Sequence, residues 1–414
     1  MRHIEPFWLL LSVAALNVAI AQTVAPAAPP SAAPPSAAPP STAPPATAPP
    51  ATAPRPVPPT RPADSPGAPK WTVVGAQPGA TDPRAAAGAN PPVDRNGDFL
   101  IGPEYRPAPE FTAVPGVPEG SVGQFTMESK DSRFYPGVAR EVAGTVDPNN
   151  PKTLLVDSHP QAWKRAITVY IPAQYRKGAA APFIVMHDGP QLGDSDRSVP
   201  HLLDNLINQH RVPAMAAILI QNGGGDAQGS ERGLEYDTLS GKFAEFIEKE
   251  VLPQVESHYG IKLTHDPDGR AAMGCSSGAA AAFTMAWFHP EWYHRVISYS
   301  GTFVNQQWPF QPANPGGAWD YHERLIAHAA RKPLRIWMEV GDRDLFNPNV
   351  MRDDMHDWVV ANHRMAAVLR DKGYPYQYTF ALDAGHCDRK VRDQTLPQAL
   401  EWVWQGYSPA GRRN

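Results

Sequence analysis

Between Ala25 and Pro69 the chain runs through imperfect repeats of proline, alanine, threonine and serine, and such a tract has no means of folding. Each proline fixes φ and removes a backbone donor, so neither helix nor sheet can form, and too few apolar side chains are present to build a core. An extended, semi-rigid spacer is expected over residues 22–69. Ahead of it lie Arg2, His3 and an apolar run from Phe7 that closes on Ala19-Ile20-Ala21, the small-x-small pattern of a cleavage site. The run is too short to span a bilayer comfortably, so residues 1–21 read as an export signal, leaving no transmembrane segment in the mature chain. A secreted or periplasmic location follows.

Of the 414 residues, those from 70 to 140 are still rich in proline and glycine and read as a partly ordered lead-in. Residues 141–407 are long enough for one α/β domain with a large core, and 408–414 form a short tail. In the domain, strand-like apolar runs alternate with helical patterns, as in a mostly parallel sheet covered on both faces. Strands are expected at 166–171, 183–186, 216–221, 270–273, 296–299, 334–340 and 376–382. A long helix is marked by Phe243, Phe246, Ile247, Val251 and Val255, with a kink at Pro253, and the last helix spans 396–404. The formal net charge of −4 supplies no basic field for nucleic acid.

Gly274-Cys275-Ser276-Ser277-Gly278 stands between the strand at 270–273 and a run of small residues, Ala279 to Ala282, that opens a helix. A serine on so sharp a turn needs glycine neighbours, because bulk there collides with sheet or helix. The turn lifts the hydroxyl clear and sets the amide of Ser277 at a helix start, facing any developing negative charge. A hydroxyl is a weak nucleophile until a base takes its proton. Gly385-His386 follows the final strand, where such a base belongs, and Gly341-Asp342-Arg343-Asp344 follows the strand before it. The order serine, acid, histidine makes Ser276 the nucleophile, His386 the base and Asp344 the favoured acid, with Asp342 as its competitor.

The two cysteines, Cys275 and Cys387, each adjoin one of these residues. If Ser276 and His386 come within hydrogen-bond reach, their neighbours come within bridging distance, and an exported chain meets oxidising conditions. A Cys275–Cys387 disulfide is therefore expected. A second donor to a tetrahedral oxyanion should come from His187-Asp188-Gly189-Pro190-Gln191. Proline has no N–H, which leaves Gly189 or Gln191, with His187 as a structural residue below the site. Trp308 and Trp319 could stack on an aromatic acyl group or a sugar, or could simply pack. Asp353, His356 and Asp357 share a helical face and could in principle bind metal, but no further ligand accompanies them, so they read as a solvated charged face. The chemistry requires neither a metal nor an organic cofactor.

Taken together, His187-Asp188-Gly189, Glu235-Tyr236-Asp237 after Arg232, Ala272 to Gly278, His289-Pro290-Glu291, Ser300-Gly301 and Gly385-His386 carry a resemblance. The stretch from Ala166 to Trp404 resembles the esterase branch of the α/β hydrolases, which includes enterochelin-type siderophore esterases, feruloyl and acetyl-xylan esterases and mycolyltransferases. The Cys-Ser and His-Cys pairing is similar to that of tannase-like feruloyl esterases and glucuronoyl esterases, which use a disulfide at this place. Pro190 departs from the branch, whose members commonly place a donating residue there. The resemblance implies an α/β-hydrolase fold and serine ester hydrolysis. Feruloyl or acetyl esters of plant polysaccharide are the first substrate expectation, a periplasmic siderophore ester the second, and a non-catalytic binding module the reading from another class. Nothing in the sequence sets an oligomeric state.

Overall fold

A computed structural model describes residues 71–75, 85–143, 155–189, 198–225, 229–347 and 353–408. The export signal and spacer expected at 1–69, and Gln191, lie outside the described residues. Ten strands form the central sheet: β1 (Thr72–Val73), β2 (Gly97–Ile101), β3 (Ser121–Glu128), β6 (Lys164–Ile171), β8 (Phe183–His187), β9 (Ala216–Ile220), β11 (Arg270–Cys275), β12 (Arg295–Tyr299), β13 (Arg335–Arg343) and β14 (Tyr376–Gly385). A hairpin, β4 (Val138–Ala143) with β5 (Leu155–Pro160), and a short pair, β7 (Ala180–Ala181) with β10 (Lys262–Leu263), stand apart. The sheet order is β1-β2-β14-β13-β12-β11-β8-β9-β6-β3, parallel from β1 to β9, with β6 and β3 antiparallel at one edge.

Strands buried on both faces read as near-continuous apolar runs, and β8 and β9 are buried at every position. Phe183 and Val185 pack on one face beneath α2 (Glu231–Tyr236), α3 (Lys242–Phe246), α4 (Leu252–Tyr259), α5 (Ser277–Phe288), α6 (Ile326–His328) and α7 (Trp358–Asp371). Ile184 and Met186 pack on the other, beneath α1 (Ser198–Asn208) and α8 (Arg389–Val403). This is the α/β-hydrolase fold. Among the described residues no helix is long and apolar enough to cross a membrane.

One expectation is corrected by the backbone. Residues 72–73, 97–101 and 121–128, assigned to the lead-in, are strands of the central sheet, so a domain start at 141 falls after three of its strands. The lead-in also completes α8. Pro397 lies inside that helix and cannot donate to the carbonyl of Asp393, which instead accepts the amide of Ala108 at 2.9 Å. The long helix expected here carries Pro253 just after an irregular turn. It widens into a π-turn over Ile247–Val251, with the Leu252 amide donating to the Ile247 carbonyl, which relieves the crowding the proline ring imposes on the preceding turn.

Candidate active site

At the C-terminal end of β11 the backbone reverses into α5 through Ser276, whose φ of 59° and ψ of −131° lie in a region a non-glycine residue rarely adopts. The glycines make this possible. A Cβ on Gly274 would lie 2.3 Å from the carbonyl carbon of Gly278, and one on Gly278 would lie 3.0 Å from Asp188 Oδ2. Backbone cannot yield to that first contact as a flexible side chain could. Gly274→Ala is accordingly expected to abolish whatever reaction Ser276 performs and to lower the thermal midpoint. Both are measurable by activity assay and by thermal denaturation monitored by circular dichroism.

Three strands deliver three side chains to this corner. His386 leaves β14 and places Nε2 2.9 Å from Ser276 Oγ, while its Nδ1 lies 2.6 Å from Asp344 Oδ1 beyond β13. The carboxylate fixes the tautomer: Nδ1–H donates to Asp344, which leaves Nε2 to accept the serine hydroxyl proton. The Asp344 side chain is fully buried, and Oδ1 also accepts the Leu345 amide at 2.7 Å. Asp342 serves elsewhere, accepting the amide of Ala384 at 3.2 Å. Two further residues, not foreseen from the sequence, steady the serine and the base. Thr302 Oγ1 lies 3.3 Å from Ser276 Oγ and accepts the indole N–H of Trp358 at 3.2 Å. The Trp358 ring meets the imidazole edge-on at 5.9 Å.

Cys275 and Cys387 are joined by a disulfide, with Cα atoms 6.0 Å apart across 112 residues of sequence. Cys387 has φ of 53°, and its amide donates to Ser300 Oγ at 2.9 Å, Ser300 itself standing at φ 46°. With Asp188 at φ 58°, four non-glycine residues in left-handed conformation crowd the strand ends around the serine, the kind of clustering that marks functional sites.

Ser277 is buried and opens α5, so its amide has no acceptor within the helix. Gly189 does not supply the second donor: its amide is held by the carbonyl of Ile220 at 3.0 Å, and a Cβ there would press on Leu219 at 2.6 Å. The residue is glycine because the loop lies flat on β9. Trp319 is not at the site either. It is 5% exposed, packs edge-on against His322 and lies under the Arg364 guanidinium. The half-buried Trp308 sits beside Gly229, outside the cavity around the serine. In the segment after Gly301, Phe303 and Val304 are buried in the core, while Phe310 is exposed.

That cavity has a volume of about 470 Å³. Asp188 forms part of its wall and is held by Arg232 through both carboxylate oxygens, at 3.0 and 2.8 Å, and by Asn222 at 2.7 Å. His187 donates from Nδ1 to the Gly278 carbonyl at 2.7 Å, and burial lowers its pKa to about 4, so it remains neutral. Behind Asp344, Glu339 is fully buried on β13, and burial, followed by the charge of Asp344, raises its carboxyl well above the usual range.

The family model described as "Putative esterase" matches residues 158–402. The chain belongs to this esterase family. No curated protein sequence matches this esterase. Among solved structures, the enterochelin esterase of Shigella flexneri is 23% identical at a TM-score of 0.45, over 58% of this chain and 55% of that one. This esterase therefore spans about half the length of that relative. A ferulic acid esterase of Anaeromyces mucronatus is 16% identical at a TM-score of 0.47, over 72% of this chain and 96% of that one.

Buried titrating groups give this esterase a stability signature of two opposite signs. Burial lowers His322 to about 3, so its folded form stays neutral where the unfolded chain binds a proton, and stability falls as pH drops from about 6.5 towards 3. Glu339 is raised, so its contribution is complete below about 4.5 and is lost as pH rises through its folded pKa. Relative to wild type, His322→Gln should gain thermal midpoint with falling pH, and Glu339→Gln with rising pH. Parallel curves for either variant would show that its group does not titrate differently on folding.

Proposed function

We propose that this esterase hydrolyses carboxylic esters through an acyl-enzyme on Ser276. The supporting observation is the unbroken hydrogen-bond path from Asp344 through His386 to Ser276 Oγ. Oγ attacks the ester carbonyl as His386 Nε2 takes its proton, and Asp344 steadies the imidazolium. The oxyanion is met by the Ser277 amide, with Gln191 as the proposed second donor. Collapse expels the alcohol, which takes the proton from Nε2. Water, deprotonated by the same nitrogen, then releases the acid and restores the serine.

The proposed setting is outside the cytoplasm, which the disulfide supports, since such bonds persist in oxidising compartments. A spacer of the length at 22–69 suits a polymeric substrate, and feruloyl or acetyl esters of plant polysaccharide are the first choice. The test is turnover of methyl ferulate, acetylated xylan, a catecholate trilactone and p-nitrophenyl acetate by the oxidised protein. Stoichiometric labelling of Ser276 by a fluorophosphonate would be read by mass spectrometry alongside. Preference for the trilactone would replace the polysaccharide reading with a siderophore one. A folded protein that turns over none of them and takes no label would be a binding module.

A further inference from the structure

The cavity holding Ser276 is electrically uneven. On the wall formed by Asp188 and Arg232, a guanidinium meets both oxygens of a carboxylate and the charges cancel. Asp344 pairs with His386. Arg392, from the first turn of α8, lines the same cavity together with His386 and Cys387. Its carboxylate partner is the adjacent residue, Asp393. Nε and Nη2 both reach one oxygen of it, at 3.3 and 3.0 Å, while the other oxygen accepts Arg389 at 3.3 Å. Nη1 of Arg392 has no hydrogen-bond partner among the described residues. Arg232, by contrast, presents its planar fork to both oxygens of Asp188 in two parallel bonds.

The local helix chemistry adds to this. The first turn of α8 has Asp388 as its cap and no acid within it, but carries Arg389, Lys390 and Arg392. The positive end of a helix favours acidic side chains, so cations there oppose folding slightly. Asp393 offsets only part of that charge, because the two guanidinium groups of Arg389 and Arg392 share its one carboxylate. Met186, Met273 and Tyr299 add apolar and aromatic surface to the same cavity lining.

We infer that the esters processed here carry a second, anionic group, a carboxylate separated from the scissile bond by an apolar or aromatic spacer, and that Arg392 receives it. This deepens the proposed ester hydrolysis and rests on that reading. The spacer lies over Met273 and Tyr299, and the carboxylate takes the donors of Arg392 that Asp393 leaves open.

Two matched pairs test it: monomethyl terephthalate against methyl 4-methylbenzoate, and 4-acetoxybenzoate against 4-methylphenyl acetate. The first pair places the anion on the acyl half and the second on the alcohol half. In at least one pair, kcat/KM should favour the anionic member by about tenfold or more, the size of a hydrogen bond to a charged group. Arg392→Gln should bring that ratio close to one, Arg392→Lys should keep part of it, and added salt should erode it. A ratio near one in both pairs for the wild type, or a ratio that Arg392→Gln leaves unchanged, overturns the inference. Should no ester turn over, ester hydrolysis itself fails. The Ser276→Ala protein then still reports on Arg392, because it should bind monomethyl terephthalate more tightly than the neutral ester only while Arg392 is present.

Discussion

Ser276→Ala is expected to lower kcat for every ester this protein hydrolyses by at least about 10⁴-fold, while leaving the thermal midpoint within about a degree of wild type. The size follows from what the hydroxyl does. Without Oγ no acyl-enzyme forms, and what remains is binding and oxyanion stabilisation acting on a water-borne attack. The unchanged stability follows from the turn, because φ of 59° at residue 276 is set by Gly274, Gly278 and the approach of α5, none of which the substitution alters. The same chain of bonds ranks the two aspartates. Asp344→Asn should cost about 10⁴-fold in kcat by presenting the imidazole with the wrong donor and acceptor. Asp342→Asn should cost far less, since an amide oxygen can still accept the Ala384 amide. Equal losses in the two variants would remove Asp344 from the role proposed for it.

How much of this was legible in the sequence depended on how local the cause was. The strands at 183–186, 216–221 and 296–299 are short apolar runs buried on both faces, and they stand within a residue of their expected places. The serine, histidine and acid follow strand ends in an order that needs only strand recognition. The two cysteines carried more, because their adjacency to Ser276 and His386 turned one spatial hypothesis into a second that the structure bears out. Long-range causes stayed hidden. β2 and β3 are cut off by proline and glycine, and only their partners β14 and β6 make them strands of the sheet. Gly189 offers an amide in sequence, but its acceptor, Ile220, belongs to a strand 31 residues on. Trp358 at the start of α7 and Thr302 in the loop after β12 meet the base and nucleophile, and nothing in their own neighbourhoods announces it. Ser300-Gly301 was the nearest available signal, as it ends the strand that leads into Thr302.

Removing the disulfide should have effects on both stability and rate, and their separation decides what the bond is for. The bridge closes a loop with a sequence separation of 112, and a loop of that order constrains the unfolded chain by about 4.7 kcal/mol in the chain-entropy model. The Cys275→Ala, Cys387→Ala protein should therefore show a large fall in urea midpoint, matched by wild type treated with a reductant. The effect on rate has a different origin. Cys387 is held in a left-handed conformation one residue past the base, and its amide donates to Ser300 Oγ at 2.9 Å. Freed from the bridge, it can relax and carry the His386 imidazole away from Oγ, and a displacement of about 1 Å between reacting groups costs about a hundredfold. Measured well below the midpoint of both proteins, kcat of the variant should fall by that order with KM nearly unchanged, because the bond orients the base and touches no substrate. A stability loss with kcat intact would make the bridge a staple of the fold, with Ser300 alone sufficient to hold the histidine loop.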